Sequence, residues 1–316
     1  MRYLDLIALL RKRNCAAVSL AAFCMNLSAR TESSPEIRSH RSFNKSELDA
    51  CRLVNGAQFF NYLNPGIRVQ ADYVNENEAA ELVEWSNFIK SKFGFSTAEG
   101  ISILVAEGEK HTKSDIKLQS LRVTGRPELP TQTHAPWGYG DTFKRESVPK
   151  VLLNLANKIE NDENFGLEPQ SLRDITINYR EQSMFKLDPH CDPPSDGGNV
   201  FILGLQSDVV LTFTPPDANA GSRLSLLAGK PDPGGTMRTA ANAIALRSWT
   251  DYDIDVLFKE NSLVHFTGEA KFVWKHAIRI GLDVAEPYNG ICDWHGDLDH
   301  LVKRNPKRIS IVFAFE

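Results

Sequence analysis

Three residues, His190, Asp192 and His276, carry the types and spacing with the most chemistry in them. The first two stand in His190-Cys191-Asp192, the third in the run Trp274-Lys275-His276-Ala277-Ile278. Two imidazoles and one carboxylate can take one face of an octahedral Fe(II) and leave three positions open for a cosubstrate and O2. An H-x-D triplet alone says little, and a second one, His295-Gly296-Asp297, is present. Order separates the two. The first follows a strand-like run, has a distal His at a domain-scale distance, and is followed by Arg308 at the head of an apolar strand. The second has only His300 after it. On an extended segment His190 and Asp192 point one way and Cys191 the other.

Such a triad needs a rigid frame, and the pattern along the chain supplies one. From Asn75 to about Lys92, Ala79, Leu82, Val83, Trp85, Phe88 and Ile89 recur at helical spacing, with Asn75 and Glu78 placed for a capping box. A second helix fits Val148 to Ile159, with Ser147 and Pro149 at its start. After Leu172 the character turns to short β runs: 175–179, 200–205, 209–213, 241–245, 262–266, 277–281 and 308–315. Helices first and then strands without alternation predict an α+β chain. Its expected core is a double-stranded β-helix, or jelly roll, with supporting N-terminal helices.

Composition bounds the rest. The chain has 316 residues, 42% of them hydrophobic, which is enough for a sizeable core. A net charge of −4 gives no global signal for nucleic-acid binding. Five cysteines without a C-x-x-C pair argue against a disulfide framework and against structural zinc. Residues 1–30 hold Arg2, Arg11, Lys12, Arg13 and Arg30 against Asp5, so they carry +5 − 1 = +4 and the remainder −4 − 4 = −8. This basic, Ala-rich leader reads as a mitochondrial presequence, with a secretory signal or a start at Met25 as rivals. Without a functional leader the expectation is cytoplasm or nucleus. Residues 31–50 are polar and expected to be disordered. That leaves a folded domain over 51–316, and no stretch apolar enough to span a bilayer.

At these motifs the chain resembles the AlkB family of Fe(II)- and 2-oxoglutarate-dependent dioxygenases, and within it the branch of AlkB homologue 4. The residues that carry the resemblance are INYREQSMFKLDPHCD over 177–192, with Tyr179 eleven residues before His190 and Asp188-Pro189 directly before it. To these add 207–213, Gly268-Glu269-Ala270-Lys271 leading to WKHAI, and RISIVFAF over 308–315. The similarity covers roughly residues 66–316. It implies that His190, Asp192 and His276 ligate Fe(2+), that Arg308 grips the distal carboxylate of 2-oxoglutarate, and that Tyr179 hydrogen-bonds the same cosubstrate. O2 is the second cosubstrate. The implied reaction is oxidative demethylation of an N-methyl group on a protein or nucleic acid. A planar guanidinium suits a carboxylate because it binds it through two parallel hydrogen bonds.

The chain departs from the family pattern in places. Ala314 stands where many members have a second arginine, Ile177 where many have Asn, and Lys271 where this branch has Arg. Ala314 keeps open a different class of function, a jelly-roll binding protein with weak or no catalysis. Arg308 comes 32 positions after His276, which marks 283–305 as an insert, with His295 and His300 expected on its loop surface. Residues 107–146 are expected to be a substrate lid. There Trp137, with Arg122 and Arg126, either stacks a base or packs the loop. Asp251, Asp253 and Asp255 lack the glycine and glutamate of a calcium loop and read as a solvated strand face. Ser207 and Ser262 lack a nucleophile-elbow context. Oligomeric state is not readable from the sequence.

Overall fold

The computed structural model describes residues 42–53, 64–93, 120–126, 133–216 and 252–316. The leader expected at residues 1–30, the strand expected at 241–245 and much of the expected lid lie outside them. The compact unit runs Arg41–Glu316.

Two sheets form the frame. In chain order the elements are α1 (Lys45–Ala50), β1 (Cys51–Leu53), β2 (Ile67–Gln70), α2 (Glu76–Phe93), β3 (Ser120–Thr124), β4 (Thr133–His134) and α3 (Lys150–Glu160). Then follow β5 (Leu172–Arg180), β6 (Leu187–His190), β7 (Asn199–Leu205), β8 (Val209–Thr214), β9 (Ile254–Phe258), β10 (Leu263–Thr267), α4 (Gly268–Phe272) and β11 (Lys275–Ile278). The chain closes with β12 (Leu282–Val284), β13 (Gly290–His295), β14 (Asp297–Lys303) and β15 (Arg308–Phe315). The larger sheet has the order β2-β10-β7-β15-β5-β3-β4, and the smaller β1-β9-β8-β11-β6. The two are almost wholly antiparallel, β3 with β4 being the parallel exception. This is the α+β, double-stranded β-helix architecture that the sequence predicts.

Strand parity organises the core. On β15, Ile309, Ile311 and Phe313 join Ile175, Ile177 and Tyr179 of β5 in one apolar cluster with α2 and α3. Leu82 and Ile89 of α2 and Leu152, Leu155 and Ile159 of α3 cover that face of the sheet. The opposite parity faces the smaller sheet, where Ile202, Leu211, Phe213, Val256, Val264 and Phe266 pack together. Each face of the large sheet therefore has its own apolar partner, which is why a strand such as β15 is buried on both sides.

The helix expected from Asn75 forms with its capping box: Asn75 N–H donates to Glu78 at 2.9 Å, and Glu78 N–H donates to the Asn75 side chain at 3.0 Å. The second helix begins at Lys150, and its cap, Pro149, makes no side-chain bond. Three expectations are corrected. Residues 42–50 are not wholly disordered, because Asn44 and Glu47 close a capping box on α1 and Phe43 joins the core. The 283–305 insert is not a loop but a three-stranded meander, β12-β13-β14, with its own small core of Leu282, Val284, Cys292 and Trp294. Nor are Asp253 and Asp255 solvated. Both are fully buried, because Arg279 reaches Asp255 at 2.8 Å while Thr212 and the Gly296 N–H donate to the same carboxylate.

Candidate metal centre and anion pocket

His190 and His276 are direct partners in the β6–β11 ladder. Pairing at that register brings the two rings to 4.3 Å between centroids. Asp192 lies just past the end of β6, and its Oδ1 stands 3.6 Å from His190 Nε2 and 3.8 Å from His276 Nε2. One ligand atom from each residue fits within 4.8 Å of the others, and this is the group of that kind found among the described residues. Ligands about 2.1 Å from one metal and cis to each other stand ~3 Å apart. A small inward adjustment therefore closes the set.

The protonation states suit a cation. His276 is 2% exposed, and burial, opposed only in part by Asp192, depresses its pKa to about 4. It is neutral at pH 7, the state that binds metal. Its Nδ1 is buried with no hydrogen-bond partner. Burial alone would raise the Asp192 pKa, but the adjoining His190 and Lys271 hold it below the usual carboxylate range. An ionised carboxylate and a neutral imidazole, with aromatic walls from Phe213 and Phe266 around His276, form a donor set that fits Fe(II).

Neighbouring groups fix these ligands. Lys271, fully buried, donates from Nζ to the Asp192 and Pro193 carbonyls at 3.1 and 2.9 Å. Cys191 points away, its Sγ 3.3 Å from the Trp274 carbonyl, as alternation requires. Arg304 reaches from the end of the insert to the Ser183 and Phe185 carbonyls, while Asp293 takes its charge. It thereby ties the meander to the segment that leads into β6. His295 is buried and bonds the Ala50 carbonyl, so it is not the loop-surface residue expected; His300 is exposed and pairs with Asp297.

The triad faces a cavity of about 180 Å³ between the sheets. Arg308, Ser310 and Val312 of β15 line it, with Thr176, Asn178 and Arg180 of β5 and Arg122 of β3. Arg308 is 3% exposed, and its Nε has no partner. Burial, then the neighbouring Arg180 and Arg304, depresses its pKa to about 9. A buried guanidinium without a carboxylate is costly unless a ligand anion completes it.

Tyr179 does not join this cavity. It is 1% exposed on the helix-facing side of β5, and its hydroxyl donates to the Ser86 carbonyl of α2 at 2.8 Å. Parity is the reason: Tyr179 shares a face with Ile175 and Ile177, whereas Asn178 and Arg180 face inward. Asn178 accepts from Arg122 Nε at 2.8 Å. The signal for Asn178 and Arg180 was present in the sequence. Every even position of β5 from Asp174 to Arg180 is polar and alternates with Ile175, Ile177 and Tyr179.

The described residues of the expected lid divide. Trp137 is 1% exposed, with its indole N–H on the Ile175 carbonyl, so it packs the segment and presents no face for a base. Arg126 is consumed by Asp174 and Asp196, at 2.9 and 2.7 Å, beneath the Tyr139 ring. Asp174 is the ladder partner of Ala314. The place where the family pattern has a second strand arginine is thus beside a carboxylate that a guanidinium from the β3 exit already occupies. Arg122 alone of the three faces the cavity without a carboxylate partner among the described residues.

No protein-family model matches the chain, and no curated protein does. Among solved structures, one described as the structure of OsALKBH1 is 15% identical, with a TM-score of 0.42, covering 80% of this chain and 100% of its own. A Pseudomonas putida prolyl-4-hydroxylase is 10% identical, with a TM-score of 0.39, covering 80% and 93%. Both likenesses are distant, and neither singles out the homologue 4 branch. No helix among the described residues is long and apolar enough to cross a membrane.

Proposed function

We propose that this chain is an Fe(II)- and 2-oxoglutarate-dependent dioxygenase, and that it oxidatively demethylates an N-methyl group. The observation that carries the reading is the joint placement of His190, Asp192 and His276 with the unpaired Arg308 in one cavity. A facial triad leaves three positions for ligands, and a buried guanidinium at the far wall suits the second carboxylate of a dicarboxylate. When bound, Fe(II) supplies O2 activation coupled to conversion of 2-oxoglutarate to succinate and CO2. The second oxygen atom hydroxylates a C–H bond, and a hydroxylated N-methyl group leaves as formaldehyde.

The chain's own residues bind and orient. His276 stays neutral through burial and Asp192 stays ionised, so neither need change protonation state to hold a cation. Lys271 fixes the backbone that carries Asp192. Arg308 holds the cosubstrate tail, with Ser310 and Asn178 on the same wall. Leu211, Ile278, Val312 and Phe258 keep the interior apolar, which strengthens each charge contact there.

The substrate falls to a methylated protein or nucleic acid under this reading. Succinate release from 2-oxoglutarate, measured on panels of methylated peptide, DNA and RNA, tests it. Stimulation by one panel identifies the class, whereas no turnover with Fe(II) and any member favours a binding protein on the same fold.

A further inference from the structure

The cavity carries more positive charge than one dicarboxylate can balance. Arg122, Arg180 and Arg308 all line it, and none has a carboxylate partner among the described residues. By contrast Arg126, Arg279 and Arg304 are each paired. A divalent cation, Asp192, the three guanidiniums and Arg126 with its two carboxylates, Asp174 and Asp196, sum to 2 − 1 + 3 − 1 = +3, and 2-oxoglutarate brings −2. A further +1 remains in the site, where uncompensated charge is costly.

Position divides the arginines between ligands. Arg308 and Arg180 are direct ladder partners, with both side chains in the cavity. They stand as a pair for one tail carboxylate. Arg122 belongs to the next row, where it pairs with Asn178 across β3–β5 and donates to that amide. It also lies within electrostatic reach of Asp192, hence toward the metal ligands. With one carboxylate of the cosubstrate on the metal and the other on Arg308 and Arg180, Arg122 is left over.

Resting on the dioxygenase reading, we infer that the substrate is anionic and that Arg122 receives its oxyanion, a carboxylate or a phosphate close to the carbon that is oxidised. Asn178 holds the guanidinium by its Nε, which leaves its two terminal nitrogens to bind an oxyanion in the bidentate manner that arginine favours. The net −8 of the chain after residue 30 disfavours a long polyanion, so recognition is of one acidic group and not of a phosphate backbone.

The test uses the full chain with Fe(II), without O2, and with N-oxalylglycine in place of 2-oxoglutarate. Two pairs of probes are titrated by calorimetry. N-methylglycine is set against its neutral amide, and an N-methylated nucleoside 5′-monophosphate against the free nucleoside. In at least one pair the anion is expected to bind tenfold or more tighter than its neutral counterpart, and that pair tells carboxylate from phosphate. Arg122→Gln should abolish the preference while N-oxalylglycine affinity stays within threefold, and Arg122→Lys should restore part of it. Equal binding in both pairs overturns the inference. So does a tenfold loss of N-oxalylglycine affinity in Arg122→Gln, which would place Arg122 on the cosubstrate. Failure of the wild-type protein to bind N-oxalylglycine with Fe(II) at all overturns the dioxygenase reading itself, and this inference with it.

Discussion

His190 and His276 are antiparallel ladder partners, 86 positions apart in sequence and side by side in the sheet. A ladder pair holds two imidazoles at fixed spacing without help from a loop, and Asp192 needs only the next turn of backbone to reach them. His190→Ala or Asp192→Ala should therefore lower Fe(II) affinity by more than roughly 100-fold, beyond what loss of an outer-shell partner costs. Metal titration of the purified variants checks this. Wild-type iron binding in both would remove the metal assignment.

Burial of His276 predicts a pH effect in metal-free protein. Its pKa falls from 6.5 to about 4 on folding. Between those values the unfolded chain holds a proton that the folded chain lacks, so stability drops as pH falls through that window. Integrated down to pH 4, the loss is ~3 kcal/mol. His276→Gln should flatten that part of the stability curve. Denaturant unfolding of chelated protein at pH 7, 6, 5 and 4 reads the difference, and parallel curves for the two proteins would refute the account.

The triad and the frame were legible because both depend on local order. His190-Cys191-Asp192 closes one short strand and runs just past its end, and the alternation of Arg308 with Ile309, Ile311 and Phe313 fixes which way Arg308 points. Tyr179 lies outside the cavity for the same reason that Arg308 lines it. Strand parity puts it with Ile177, and similarity of motif does not change parity. Asn178 and Arg180 are readable from the polar even positions of β5, whereas Arg122 needs the sheet order β15-β5-β3, which no single segment encodes. Asp253 and Asp255 read as solvated because their partner, Arg279, lies just past the end of β11, two places away in the smaller sheet. The meander was missed because its strands are short and mostly polar on one side.

Arg308→Lys keeps the charge but replaces a two-pronged contact with a point. Affinity for 2-oxoglutarate should fall about tenfold or more, ~1.4 kcal/mol, with Fe(II) affinity unchanged. Paired titrations of metal and cosubstrate separate the two effects. Unchanged 2-oxoglutarate affinity would mean that Arg180 alone anchors the tail.

Tyr179→Phe should leave 2-oxoglutarate affinity as it is, because the hydroxyl bonds the Ser86 carbonyl on the far face of the sheet. It should instead cost about 1 kcal/mol of stability, the ordinary contribution of one buried hydrogen bond. Asn178→Ala, on the inner face, should instead act inside the cavity, by freeing the Arg122 guanidinium that its amide holds. A selective loss of cosubstrate in Tyr179→Phe would show that β5 presents its other face in the working protein.

Arg126 and Trp137 distinguish a structural lid from a reading surface. Both are fully engaged: Arg126 by Asp174 and Asp196, Trp137 by the Ile175 carbonyl and the core beneath it. Trp137→Ala should cost about 3–5 kcal/mol, as a large buried aromatic does. Arg126→Gln leaves two carboxylates close together and nearly buried, so it too should lower the melting temperature and expose the 135–142 segment to protease. Neither substitution should change whatever affinity the folded protein has for duplex DNA. That affinity should be weak, with a shallow salt slope, because the chain beyond its leader is acidic and few cations remain to neutralise phosphates. A salt titration of DNA binding by wild type, Arg126→Gln and Arg122→Gln settles the matter. Tight, steeply salt-dependent binding that Arg126→Gln destroys in a still-folded protein would make this segment a nucleic-acid surface after all.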